Sequence, residues 1–152
     1  MEQSRTTGEE PSRDRPGVQG PAGQRSGVRL AVGVRGEDLA VAELESQGMQ
    51  VLSRNWRCRL GEVDVIALEV TADRRTLVFC EVKCRTGLGF GGPLESITYA
   101  KLRKLRQLSA EWLTTERSRA DALSIDAIRL DAVGVVLLPG TPPQLTHVRA
   151  IG

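Results

Sequence analysis

Several kinds of residue are scarce in this 152-residue chain, and each shortage removes a class of function. Histidine occurs once, at His147, so neither a His-based metal centre nor a triad of nucleophile, histidine and acid has more than one possible member. His147 therefore reads as an ordinary strand residue. The three cysteines, Cys58, Cys80 and Cys84, are odd in number and contain no Cys-x-x-Cys pair, which argues against both a disulfide framework and a structural zinc site. They are expected as reduced thiols, with Cys80 a small core residue. Aromatic residues make up only 3% of the chain, too few for a broad base-stacking platform, so aliphatic side chains must build the core. No apolar run approaches the roughly 18 residues of a membrane span, and the amino terminus lacks the apolar stretch of a secretory signal. A cytoplasmic protein is expected.

What is present is a globular composition, 40% hydrophobic and 26% charged, of a size that fits one domain. Residues 1–27 combine Gly, Pro, Ser, Gln and Arg with hardly any large apolar side chain, and cannot bury enough surface to offset ordering entropy. They are expected to be a disordered tail, with the domain at 28–152. Net charge is only +2, but its distribution is uneven. Arg54, Arg57 and Arg59 cluster, and from Lys83 to Arg106 six cations (Lys83, Arg85, Lys101, Arg103, Lys104, Arg106) face the single acid Glu95. Basic density of this kind suits phosphates, and equally suits solvated helix and strand faces.

Helical periodicity runs from Arg35 to Gln47, with Glu37, Ala40, Val41 and Leu44 at i, i+3, i+4 and i+7 and Gly48 placed to end the helix. Met49 to Arg59 and Glu62 to Val70 read as a hairpin turning at Leu60–Gly61. Leu77-Val78-Phe79-Cys80 is a continuous apolar run of the buried-strand kind that switches abruptly to Glu81-Val82-Lys83. A Gly-rich loop, Gly87 to Pro93, leads into a helix expected from Glu95 to Glu116, whose apolar stripe Ile97, Leu105, Leu108, Trp112 contains Lys101. Ile128 to Leu138 and Leu145 to Ile151 read as final strands around a Pro-Gly turn. The order α-β-β-β-α-β-β predicts an α/β fold with a mixed sheet flanked by helices.

Four positions stand out against this background. Glu37 lies on an apolar helical face, Asp64 lies inside the strand Val63-Asp64-Val65-Ile66, and Glu81 and Lys83 lie two apart where a buried strand turns polar. Residues i and i+2 of a strand share a face, so Glu81 and Lys83 project together while Val82 points into the opposite layer. The 17 positions from Asp64 to Glu81 allow one antiparallel return that brings the two carboxylates together. Asp64 and Glu81 with the Val82 carbonyl form a hard oxygen set that suits Mg2+, or Mn2+ in its place, and Lys83 beside it can orient water or meet phosphate charge.

These residues resemble a known family. Arg35-Gly36-Glu37, Arg54-Asn55-Trp56-Arg57, Gly61-Glu62-Val63-Asp64-Val65-Ile66-Ala67, Val78-Phe79-Cys80-Glu81-Val82-Lys83-Cys84-Arg85 and Lys101 look like the YraN family of small bacterial proteins, over about residues 33–151. That family resembles the PD-(D/E)xK nucleases, in particular archaeal Holliday-junction resolvases. Val63 stands where the superfamily's naming proline would be, and Cys80 where a valine is common. The resemblance implies a restriction-endonuclease-like fold and a magnesium-dependent endonuclease acting on nucleic acid phosphodiesters, with branched DNA as one candidate. It implies a catalytic set of Glu37, Asp64, Glu81 and Lys83, in which Asp64 and Glu81 bind the metal and Lys83 assists the attacking water. Candidate nucleic-acid contacts are Arg54, Arg57, Arg85, Lys101, Arg103, Lys104 and Arg106. Symmetric cutting of a junction requires two copies, so a homodimer is expected if the resolvase likeness is functional.

Plainer roles compete for each residue. Glu81 and Lys83 alone would be a cross-strand ion pair, Glu37 would favour the positive end of its helix, and Lys101 would extend to solvent past the apolar stripe. Glu62 reads as a turn group. Gly87-Leu88-Gly89-Phe90-Gly91-Gly92 matches G-x-G-x-x-G, but the strand before it ends in Glu-x-Lys and the segment after it is helical, so a dinucleotide site lacks its context. A loop close to nucleic acid fits better. At the level of function, a non-catalytic nucleic-acid-binding or adaptor protein that keeps the nuclease fold is the alternative.

Overall fold

The computed structural model describes residues 22–87, 89 and 91–152. A long helix α1 (Ala22–Ser46) precedes three strands, β1 (Gln50–Cys58), β2 (Gly61–Val70) and β3 (Arg75–Arg85). A short 3-10 turn (Pro93–Ser96) follows, then α2 (Tyr99–Thr115), α3 (Arg117–Leu123), β4 (Ala127–Val136) and β5 (Gln144–Val148). The five strands form one sheet in sequential order, antiparallel throughout except for the parallel β3–β4 pair. Helices α2 and α3 supply the crossover that a parallel pair requires. Among the described residues no helix is long and apolar enough to cross a membrane.

The mixed sheet flanked by helices is the predicted architecture, with two differences in its helices. First, α1 begins at Ala22, so six residues read as tail are helical, and residues 1–21 lie outside those described. The glycines at 23, 27 and 33 and the weak apolar periodicity hid this extension, whose Val28 and Leu30 stay 63% and 71% exposed. Second, the helix expected from Glu95 to Glu116 is divided into a 3-10 turn and α2, and a further helix, α3, follows it. Pro93 opens a 3-10 turn, Ile97 and Thr98 are extended, and the Thr98 hydroxyl starts α2 by accepting from the Lys101 N–H. At the far end Ser124 adopts a left-handed conformation and closes α3, which the sequence had left unassigned.

Each sheet face carries its own apolar cluster. Ala40 and Leu44 of α1 pack with Met49 on Val65, Ala67, Val78, Cys80, Val133 and Val135. On the other face Leu105, Leu108 and Trp112 of α2 cover Val63, Ile66, Leu77, Phe79 and Leu130. The Trp112 and Phe79 rings meet edge to face with centroids 5.9 Å apart. Helix α1 reaches the sheet at Gly36, where a Cβ would stand 2.7 Å from Cys84 Cβ, so only glycine permits that approach. All three cysteines are free, and burial raises the Cys84 and Cys80 thiols above their ordinary range.

Candidate metal and phosphate site

Strand alternation breaks at Asp64, and that break builds the site. Val63 faces α2 while Val65, two residues on, faces α1, whereas a regular strand would place both on one side. Opposite this point on β1, Asn55 takes a positive φ of 49°, a conformation asparagine tolerates better than most residues. The β2–β3 ladder pairs Val65 with Cys80 and runs away from the site to Val70–Arg75. Beyond Cys80, β3 continues without β2, and the Val82 N–H is taken instead by Asp64 Oδ2 at 2.7 Å. A side chain thus replaces the main chain at the end of the ladder.

As the sequence implied, Glu81 and Lys83 share the α2 face while Val82 packs towards α1. Lys83 Nζ lies 2.8 Å from Glu81 Oε1, and Lys101 Nζ approaches the same oxygen at 3.5 Å from the first turn of α2. Asp64, Glu81, Lys83, Lys101 and Lys104 line one cleft, floored by Leu105 and Leu108. Glu37 lines an adjacent groove rather than this cleft, and its Oε2 accepts from Asn55 Nδ2 at 2.9 Å. Glu62, at the cleft mouth, pairs with Arg57 at 2.9 Å.

The electrostatics are strained in one direction. Burial, together with the negative charges of Glu81 and Glu37, pushes the Asp64 carboxyl up to about 7, against the opposing Val82 hydrogen bond. Burial acts against the Lys83 charge, but Glu81 and Asp64 outweigh it and hold this ammonium above its ordinary value. Lys101 is lowered, chiefly by the Lys83 ammonium beside it. Of two cations sharing one carboxylate oxygen, the nearer keeps the advantage.

Linkage gives this carboxyl a testable sign. Its folded value of about 7 exceeds the ordinary 3.8, so the folded protein holds a proton that the unfolded chain has released. The associated stability is present below 3.8 and lost as pH rises through about 7. In chelator, Asp64→Asn is therefore expected to be more stable than wild type at pH 8 and to lose that advantage at pH 4. Thermal unfolding of both proteins across this range checks it, and a constant difference would contradict the burial of Asp64.

Two buried-side carboxylates with an unfavourable shared charge fit a divalent cation. Among the described residues no group of three His, Cys, Asp or Glu side chains is arranged to cage an ion. A pair is what magnesium uses, since it keeps several waters and takes one or two protein carboxylates. What the structure adds for Val82 is its N–H, which orients Asp64.

The predicted basic residues divide into groups. Lys101 and Lys104 face the cleft and Arg85 the adjacent groove. Arg54 and Arg57 are engaged by Asp38 and Glu62, and Arg103 is exposed on α2. Arg106 lies beside the carboxyl-terminal Gly152. In the loop 87–92, Leu88 and Phe90 lie outside the described residues.

Two features escaped sequence reasoning. Asn55, an asparagine within a strand pattern, was the available signal for a distorted position. The other is a buried ionic network on the α1 face of the sheet, the face opposite the cleft. Asp131 accepts from Arg129 Nε and Nη2 at 2.8 and 2.9 Å and from the Ala150 N–H, and pairs with His147 Nε2 at 2.9 Å. Arg129 also binds Glu69 at 2.6 Å. His147 is thus more than the ordinary strand residue expected.

Fold and cleft together define a mixed α/β protein with a carboxylate–lysine centre where β3 outruns its antiparallel neighbour. The chain belongs to the uncharacterised protein family UPF0102, whose family model matches residues 36–135, and this is the YraN family that the motifs resembled. It is 48% identical over 125 residues to a UPF0102 protein of Mycobacterium ulcerans, covering 82% of this chain and 97% of the relative. It is 46% identical over 128 residues to a UPF0102 protein of Mycobacterium tuberculosis strain ATCC 25177, covering 82% and 94%.

Proposed function

We propose that the protein is a magnesium-dependent endonuclease-like enzyme acting on nucleic acid phosphodiesters, with branched DNA a candidate substrate. The observation that carries this reading is the convergence of Asp64, Glu81 and Lys83 in one cleft rimmed by Lys101 and Lys104. A purely structural ion pair needs neither a second carboxylate with a raised pKa nor a second lysine on the same oxygen.

In this reading Asp64 and Glu81 hold Mg2+ or Mn2+, with Asp64 fixed in place by the Val82 N–H. The bound cation would supply charge neutralisation at the phosphate and acidification of the attacking water. Lys83 retains its proton, steadies that water and faces the charge that develops on the phosphate. Lys101 and Lys104 position the backbone from α2. Glu37 supports the site from α1 through Asn55, which makes it a positioning group rather than a ligand. Symmetric cutting of a four-way junction would require a homodimer.

The test is a panel of labelled four-way junction, flap, single-stranded DNA, duplex DNA and RNA, incubated with magnesium, with manganese and with chelator. Metal-dependent cleavage of at least one substrate is expected. Binding without cleavage under every condition would overturn the enzyme reading in favour of a nucleic-acid-binding or adaptor protein.

A further inference from the structure

We propose that the wedge between α1 and the end of β3 is a second nucleic-acid subsite, which holds the backbone of one unpaired strand as it leaves the carboxylate cleft. This rests on the reading of that cleft as a phosphodiester site. Helix α1 touches β3 at Gly36 and Cys84, and from there towards its amino end it departs from the sheet, so that residues 26–31 are exposed. Arg29, Gly33 and Glu37 form one wall of the resulting groove, and Lys83, Arg85 and Lys101 form the other. Lys83 and Lys101 also line the carboxylate cleft, so the two spaces adjoin at these two lysines.

Charge selects the occupant. The groove carries four cations against Glu37, whose carboxylate is engaged by Asn55. Among the described residues neither Arg29 nor Arg85 has an ion-pair partner, whereas Arg54 and Arg57 are neutralised by acids. Guanidinium groups left facing an open groove suit phosphate oxygens. Shape then decides between one strand and two. The groove narrows to the close approach of Gly36 and Cys84 at its closed end, a taper that suits a single backbone better than a duplex. A basic groove that follows one backbone is the usual means of holding single strands. The substrate class is therefore nucleic acid with an unpaired segment, such as a single strand, a flap or the open centre of a branch.

Fluorescence anisotropy of the full chain in chelator, where no cleavage competes, tests this with a labelled single strand and its blunt duplex at several salt concentrations. For the single strand, Arg29→Ala/Arg85→Ala is expected to reduce the slope of log affinity against log salt by about 1.4, or about 0.7 for each of two lost contacts. Duplex binding should not change. Arg74→Ala/Arg117→Ala removes the same charge from the β2–β3 turn and α3, and should leave both slopes at the wild-type value. All four arginines are exposed, and matching thermal midpoints confirm folding. Single-strand slopes equal in all three proteins, or an equal loss in the control, would overturn the wedge while leaving the carboxylate cleft standing. Failure of wild type to bind either nucleic acid at low salt would overturn both.

Discussion

Asp131→Ala is expected to destabilise the protein by about 3–5 kcal/mol, the usual consequence of removing one partner from a buried ion pair. The Asp131 side chain is fully buried, and the side chains facing it are nearly so. Its loss leaves the Arg129 guanidinium with Glu69 alone, strands the Ala150 N–H and removes the partner of His147 Nε2. Burial alone would raise the Asp131 carboxyl, but Arg129, the Ala150 N–H and His147 more than compensate and hold it below the ordinary carboxylate range. A depressed acid contributes stability above its unfolded pKa and loses it as pH falls through the folded value. Thermal unfolding at pH 7 should show a midpoint lower by roughly 10–20 °C. A change of only a degree or two would mean that the network is cosmetic. Because Asp131 lies on the opposite sheet face and does not line the cleft, this variant probes folding without removing a cleft side chain.

The difference between Asp131 and Asp64 shows what a sequence makes legible. Asp64 interrupts a run of strand-forming apolar residues and lies a fixed distance from a Glu-x-Lys pair, so both pattern and spacing mark it. Asp131 sits in Arg-Leu-Asp-Ala-Val, which alternates as a half-exposed strand would, and beyond Arg129 its partners come from residues 147 and 150, with Glu69 joining through Arg129. Only the sheet order β3-β4-β5 brings them together. The same limit applied to Glu37, whose helical face was readable but whose partner Asn55 depends on a backbone distortion with no periodic signature. The α1 extension was hidden for a different reason, since local composition favours turns there and few buried contacts compensate. By contrast the strands, with β-branched and aliphatic runs bounded by turn residues, were placed within about two residues except at the last carboxyl-terminal ends.

The second large effect concerns the cleft. Asp64→Asn preserves the size of the side chain but removes one of the two carboxylates proposed to hold the cation, and it exchanges an acceptor of the Val82 N–H for a neutral one. Loss of metal-ion charge stabilisation worth several kcal/mol corresponds to a cleavage rate reduced by about a hundredfold or more. Lys83→Met should reduce the rate as well while leaving both carboxylates for the metal, so metal affinity distinguishes the two variants. The expectation for stability runs the other way, because Asp64→Asn relieves the buried charge above pH 7. A variant that is more stable and less active is the signature of a functional site held under electrostatic strain.

Single-turnover cleavage of one flap or junction substrate by wild type, Asp64→Asn and Lys83→Met, purified in parallel and assayed with magnesium and with chelator, tests the central claim most directly. The account predicts cleavage by wild type that requires the metal, with both variants folded and slower by about a hundredfold or more. Equal rates in all three proteins would assign the activity to a contaminant, and would contradict the assignment of phosphodiester chemistry to Asp64, Glu81 and Lys83.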